Sequence, residues 1–197
     1  MQALERLHET KPVRPGLVQR VEFEYIRHGT LCLMANFEVA TGRVISPSIG
    51  PTRTEADFAA HIEQTVDTDP DATWIFVADQ LDTHRSAKLV ELVARRCGIE
   101  EALGVKGKSG ILKSKKTRKN FLEDASHRIR FVYTPRHCSW LNQVEIWFSI
   151  LARRLLKRSS FTSVEDLESR VLQFIAYFNS VLAKPFRWTY TGRPLQA

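Results

Sequence analysis

Long apolar runs are missing from this sequence. None approaches the ~18 residues that a membrane-spanning helix needs, and the first ten residues, MQALERLHET, hold no apolar stretch of a secretory leader. The expected compartment is therefore the cytoplasm. Cysteine is scarce: Cys32, Cys97 and Cys138 are odd in number and far apart. That excludes a disulfide framework and a Cys-x-x-Cys zinc site, and reads as reduced, mostly buried thiols. Internal repeats and linker-like stretches are absent too, and 197 residues suit one domain with a sizeable core. Acid is in deficit, 22 Asp+Glu against 29 Lys+Arg, for a net +7 and a pI near 9.5. Such a balance favours polyanionic partners, nucleic acid first.

What is present is an alternation of strand and helix signals. Residues 17–29, 30–42 and 43–50 are rich in β-branched and aromatic residues and end at glycine or a polar turn, so they read as strands, with a hairpin turn at 40–43. TEADFAAHIEQTV spaces Phe58, Ile62 and Val66 four apart behind Thr54, a helix with its cap. ATWIFVAD is a continuous apolar run ending in Asp79, as in a strand buried on both faces. A helix over 86–96 follows, stopped by Gly98. VKGKSGILKSKKTRKN, residues 105–120, reads as a basic surface loop or frayed helix: either a phosphate-binding surface or a solvated charge run. RIRFVYTP is a further strand, and helices over 140–157 and 163–179 complete the core, the second capped by Thr162 or Ser163. The order predicts a mixed α/β domain with an antiparallel start and a parallel continuation.

Two carboxylates stand out. Leu141, Val144, Phe148, Leu151 and Leu155 make one apolar stripe on the helix opened by Ser139, and Glu145 falls roughly 70° from its centre. A carboxylate at that border is either paired with a nearby cation or held for a ligand. Arg153, Arg154, Lys157 and Arg158 follow, where cations also suit the negative end of the helix dipole. Asp79 ends a strand ahead of the loop QLDTHRS, and strand carboxyl ends are where α/β sheets bind ligands. Asp82, Thr83 and Ser86 are better placed to cap the next helix. His84 either steadies a bound water or phosphate or hydrogen-bonds within its loop. Oxygen ligands at a strand end and on a later helix suit magnesium, and cations nearby suit a phosphate backbone.

FVADQLDTH, FVYTPRHCSWLNQVEIWFSILARRLLKR, SFTSVEDLESRVLQFIAYFN and KPFRWTYTG resemble the catalytic domain of bacterial insertion-sequence transposases, the DDE-type enzymes of the mariner superfamily. QALERLHETKPVRPG and YIRHGTLCLMANFEVATG match the early part of that domain. The resemblance implies a ribonuclease-H-like fold, a mixed sheet flanked by helices. It also implies three acids that bind two Mg²⁺ (or Mn²⁺) ions and cut and join DNA at the ends of the element. Asp79 matches the second acid and Glu145 the third, as catalytic and metal-binding residues. Ser139, Trp140, Leu141 and Asn142 match the turn that sets the last helix, with His84 supporting. Lys106, Lys108, Lys113, Lys115, Lys116, Arg118, Lys119, Arg153, Arg154, Lys157 and Arg158 become candidate DNA contacts.

Three departures shape the expectations. Gln80 follows the aspartate where many relatives carry asparagine. Asp79 and Glu145 lie 66 positions apart (145 − 79), long for the superfamily, with the basic stretch supplying most of the excess. The strand bearing the first aspartate, central in such a sheet, has no counterpart, and neither has a helix-turn-helix region; Glu5, Glu22, Glu24 and Glu38 do not occupy the matching place. The expectation is a single domain over 1–197, incomplete at its N-terminus, with Met1 an internal methionine of a longer frame and the two-metal site formed only in the full-length domain. The alternative is a catalytically inactive fragment that binds DNA nonspecifically or associates with full-length transposase. Expected partners are transposon ends and target DNA, with a homodimer or a full-length copy, in a bacterial cytoplasm at the nucleoid. The Asp79 and Glu145 carboxylates should lie within roughly 4–7 Å, given oxygen–metal distances of ~2.1 Å and one bridging water.

Overall fold

A computed structural model of the chain describes residues 1–8, 11, 13–18, 22, 24–135, 138, 141–185 and 187. Its elements run β1 (Gln2–Arg6), β2 (Tyr25–Thr30), β3 (Cys32–Glu38), β4 (Arg43–Gly50), α1 (Glu55–Val66), β5 (Trp74–Ala78), α2 (Ala87–Cys97), α3 (Lys115–Leu122), β6 (Ile129–Tyr133), α4 (Val144–Leu151) and α5 (Val164–Tyr177). This is a mixed α/β domain, small sheets flanked by helices, consistent with a ribonuclease-H-like arrangement.

The strands pair in three sets of two: β1 antiparallel to β2, β3 antiparallel to β4, and β5 parallel to β6. β2 runs into β3 through Leu31, which exchanges backbone hydrogen bonds with Met1 and so extends the β1–β2 ladder by one pair. β3 and β4 form a hairpin whose turn ends at Gly42, with φ 73°; a Cβ there would overlap the backbone of Lys184. The extra residue in β4 lies at Ser46 and Pro47, opposite Ala35, where a bulge tolerates a missing donor.

Two cores result. Phe76, Ala78, Ile129, Phe131 and Tyr133 of β5 and β6 pack on α1, α2 and α3 through Ile62, Val66, Leu89, Val93 and Leu122. Ala3, Leu31 and Val44 pack instead on Trp147 and Leu151 of α4 and Leu167, Val171 and Ile175 of α5. α1 joins the halves by a polar seam, where buried His61 meets Ser48 of β4 at 2.8 Å and Asn36 of β3 at 2.9 Å.

Caps fall where the residue types direct them. Thr54 and Asp57 form a capping box on α1, Ser86 caps α2, and Ser163 caps α5. Gly98 closes α2 in the left-handed conformation.

Several expectations are corrected. Of the strand foreseen at 17–29 only Tyr25–Thr30 pairs, while Arg14 and Leu17 bond each other; residues 19–21 and 23 lie outside the described residues. The stretch 105–120 divides: residues 105–114 are turns with one short 3-10 turn, as the loop reading expects, whereas Ser114 and Thr117 form a capping box that opens α3, a regular helix that buries Leu122 and Arg118. The apolar run of β5 is buried on one face only, with Ile75 and Val77 51% and 46% exposed on the cavity they line with β3. On α4 the buried centre is Trp147 and Leu151, which rotates the stripe away from Val144 and Phe148. The wider turn Ala152–Leu156 continues α4. The three cysteines are free but half-buried rather than buried.

Candidate active site

Asp79 follows the last residue of β5 and leans into the loop rather than along the sheet. Its Oδ1 accepts the backbone N–H of Leu81 at 3.0 Å and lies 2.7 Å from Nδ1 of His84. His84 is fixed in turn: its ring lies over Phe58, centroids 4.3 Å apart, and its carbonyl accepts the Tyr133 hydroxyl at 2.6 Å. Burial, with Glu123 close by, raises the Tyr133 phenol well above its usual range, so it stays a donor. Gln80 turns the other way and donates to the carbonyl of Thr134 at 3.0 Å, tying the end of β5 to the end of β6. Asp82 pairs with Lys115 at 2.7 Å, which holds its carboxyl below the ordinary value. The loop thus spends its other side chains on structure, and Asp79 keeps Oδ2 unbonded among the described residues.

Glu145 sits in the first turn of α4, exposed, and makes no ion pair among the described residues. The reading in which a neighbouring cation neutralises it is not realised. Asp79, His84, Asn142 and Glu145 all border one cavity of about 520 Å³, whose walls are β3 and β5 and whose ends reach α1 and α4. The two carboxylates are thus both on the lining of this cavity. Ser139 and Trp140 lie outside the described residues.

Sequence reasoning missed two members of this cavity. Arg53 reaches its wall from the loop ahead of α1, and His61 reaches it from within α1. His61 is 2% exposed, and desolvation, with some repulsion from His84, depresses its pKa to about 4. It is a neutral link in the seam, bonded to Asn36 and Ser48. The signal was a histidine on the apolar face of α1, between Phe58 and Ile62.

The basic residues divide. Arg118 is a correction: it is 9% exposed, donating to the carbonyls of Arg85 at 2.8 Å and Leu112 at 2.9 Å, so its guanidinium is a structural brace rather than a surface cation. Lys106, Lys115 and Lys119 are paired with Glu55, Asp82 and Glu123. Lys108, Lys113, Lys116, Arg153, Arg154, Lys157 and Arg158 are exposed and without ion pairs among the described residues.

The donor set limits what metal fits. Asp79 and Glu145 with water suit one hydrated Mg²⁺, which one or two carboxylates ordinarily hold. Among the described residues no group of three His, Cys, Asp or Glu could hold a metal ion, so a second ion has no ligand set here. Among the same residues no helix is long and apolar enough to cross a membrane.

No curated protein and no solved structure matches the chain. The model of one family, DDE superfamily endonuclease, matches residues 3–168. With most of its length so matched, and with acids from a strand end and a helix start bordering one cavity, the chain belongs to the DDE superfamily endonucleases.

Proposed function

We propose that this domain carries out metal-dependent cleavage and strand transfer of DNA as the catalytic part of an insertion-sequence transposase of the mariner type. Family membership supports nuclease or polynucleotidyl-transfer chemistry with DNA as substrate. The observation that carries the finer reading is the placement of Asp79 and Glu145 on one cavity from elements 66 residues apart (145 − 79).

In this reading Asp79 Oδ2 and Glu145 would hold a Mg²⁺ or Mn²⁺ ion, which would supply Lewis-acid activation of a phosphodiester oxygen. His84 and the Leu81 N–H orient Asp79 by holding Oδ1, leaving Oδ2 unbonded among the described residues. Asn142 stands beside Glu145 on the cavity wall. The free cations of the 108–116 stretch and of the end of α4 hold the phosphate backbone. The chain acts at element ends and target DNA, with a second copy or a full-length transposase as its protein partner.

The test is Mg²⁺- or Mn²⁺-dependent nicking of supercoiled plasmid by the chain and by Glu145→Gln. Nicking that Glu145→Gln reduces by at least ~100-fold, the scale of losing a group that acts only in the transition state, supports the reading. DNA binding without nicking by either chain selects instead a silent DNA-binding form.

A further inference from the structure

Asp79 takes its orientation from the loop that follows it. Both donors on its Oδ1, the Leu81 N–H and the His84 ring, belong to residues 81–84, so the direction of Oδ2 moves with that loop. The loop has little to hold itself in place. Its regular part is one 3-10 turn, Asp82–Arg85, with no side-chain cap at its start, and a single turn is marginal without outside support. The carbonyls at its end, of His84 and Arg85, are left over by the turn and are taken by two buried side chains. The Tyr133 hydroxyl of β6 donates to His84 at 2.6 Å, and Nε of Arg118 on α3 donates to Arg85 at 2.8 Å. Arg85 passes the tie on, since its guanidinium donates to the carbonyl of Gln80, the residue next to Asp79. The far side of Arg118 is anchored as well. Its Nη1 donates to the Leu112 carbonyl at 2.9 Å, and Leu112 and Leu122 pack in one core with Leu89 and Val93 of α2. Arg85, Arg118 and Tyr133 all lie off the cavity lining, behind the loop.

We propose that Arg118 and Tyr133 are positioning residues for Asp79: they set the turn 82–85 from behind, and through it the oxygen that Asp79 presents to a metal ion. The role rests on Asp79 being a metal ligand, as proposed above. Burial decides which ties matter. A hydrogen bond inside the protein is stronger than the same bond in water, and its loss leaves a buried carbonyl without a partner. The tie from Lys115 Nζ to Asp82 Oδ2, 2.7 Å long, is more than half exposed on both sides, so screening and side-chain entropy leave it little effect. Burying the Arg118 guanidinium among carbonyls is costly, and what it joins is two short 3-10 turns, Asp82–Arg85 and Ile111–Lys113. The segment from 111 to 122 therefore serves the site through the backbone of the loop, a role apart from any phosphate contact of its free lysines.

Two measurements on the 197-residue chain test it: amide exchange by NMR without metal, and Mn²⁺ affinity from the electron paramagnetic resonance signal of the free ion. Arg118→Met and Tyr133→Phe should each speed exchange at Leu81 and His84 roughly 10-fold, the scale of one lost buried hydrogen bond. Each should also weaken Mn²⁺ binding about 10-fold, the lower end of what outer partners of metal ligands cost. The sign is informative for Arg118→Met. Removing a cation favours Mn²⁺ by Coulomb's law alone, so weaker binding reports geometry. Lys115→Ala should change neither readout. Nor should Ser163→Ala, which lowers stability from the cap of α5, because a loop opens locally rather than with the whole fold. Tyr133→Phe keeps the ring and loses one oxygen, so it decides the matter even where Arg118→Met does not fold. Unchanged exchange at Leu81 and His84 in Tyr133→Phe, or unchanged Mn²⁺ affinity, overturns the proposal, and so do equal changes in Ser163→Ala. The metal reading fails by a different result, Mn²⁺ binding that Asp79→Asn and Glu145→Gln leave unchanged, and the positioning role then falls with it.

Discussion

At the scale of single residues, the site turns on how each polar side chain is spent. His61 is held neutral inside the seam between α1 and the β3–β4 hairpin, its pKa drawn down to about 4 by burial first and by His84 second. Unfolding returns it to the ordinary value near 6.5, so between these limits the unfolded chain binds more protons. Stability is therefore whole above pH 6.5, falls as the pH drops from about 6.5 to about 4, and levels below that. The loss approaches roughly 3 kcal/mol, about 1.4 kcal/mol for each unit. Urea denaturation of the chain at pH 7 and pH 4.5 should show this fall, and His61→Gln, which keeps a polar group near Asn36 and Ser48 without the titration, should flatten it. An equal slope in His61→Gln would mean that carboxylates alone carry the acid sensitivity. Arg118 makes the complementary point. Lys-rich sequence around it suggested a DNA contact, but a side chain that braces two carbonyls cannot also hold a phosphate.

At the scale of elements, sequence pattern located the helices better than the strands. Ser86, Ser163, Gly98 and the Thr54–Asp57 box mark helix ends by local chemistry, which needs no knowledge of the rest of the chain. Ser86 is buried and its hydroxyl oxygen accepts the N–H of Leu89 at 3.2 Å, directly after the loop that carries Asp79 and His84. Ser86→Ala should cost about 1–2 kcal/mol in thermal or urea denaturation, and Ser86→Asp should recover most of it; a loss that Asp does not restore would mean packing, not capping, sets the cost. The strands were less legible because their exposure depends on non-local neighbours. The apolar run of β5 looked buried on both faces, yet Ile75 and Val77 are exposed on the cavity they line with β3. Likewise Trp147 replaced Val144 and Phe148 at the centre of α4, since the sheet face opposite α4 is β3 and not a continuous sheet. Asp79 and Glu145 were legible as a strand-end acid and an acid on a later helix, whereas Arg53 and His61 enter the cavity only through the packing of α1.

At the scale of the whole molecule, net charge of +7 becomes informative only after pairing is counted. Three lysines of the 105–120 stretch are tied to carboxylates and Arg118 is interior, which leaves Lys108, Lys113 and Lys116 free there. Arg153, Arg154, Lys157 and Arg158 add four more at the end of α4, exposed and unpaired among the described residues. If both groups grip one duplex, the dependence of log K on log salt should be steep, each engaged cation contributing a slope of about −0.9. Replacing Lys108, Lys113 and Lys116 together by alanine should then lower the slope by at most ~2.7, and the four α4 cations by at most ~3.6, by the same counterion count. Arg118→Met should leave the slope unchanged while lowering the melting temperature, because it removes a brace and no phosphate contact. Binding of a fluorescent duplex from ~50 to ~200 mM salt measures all three. A slope that only the α4 substitutions change would confine the DNA path to the side of Glu145 and leave the 105–120 stretch a structural insertion. A slope that falls in both sets, and by the sum in the combined variant, requires a single duplex running past α3 and α4, across the mouth of the cavity that Asp79 and Glu145 share.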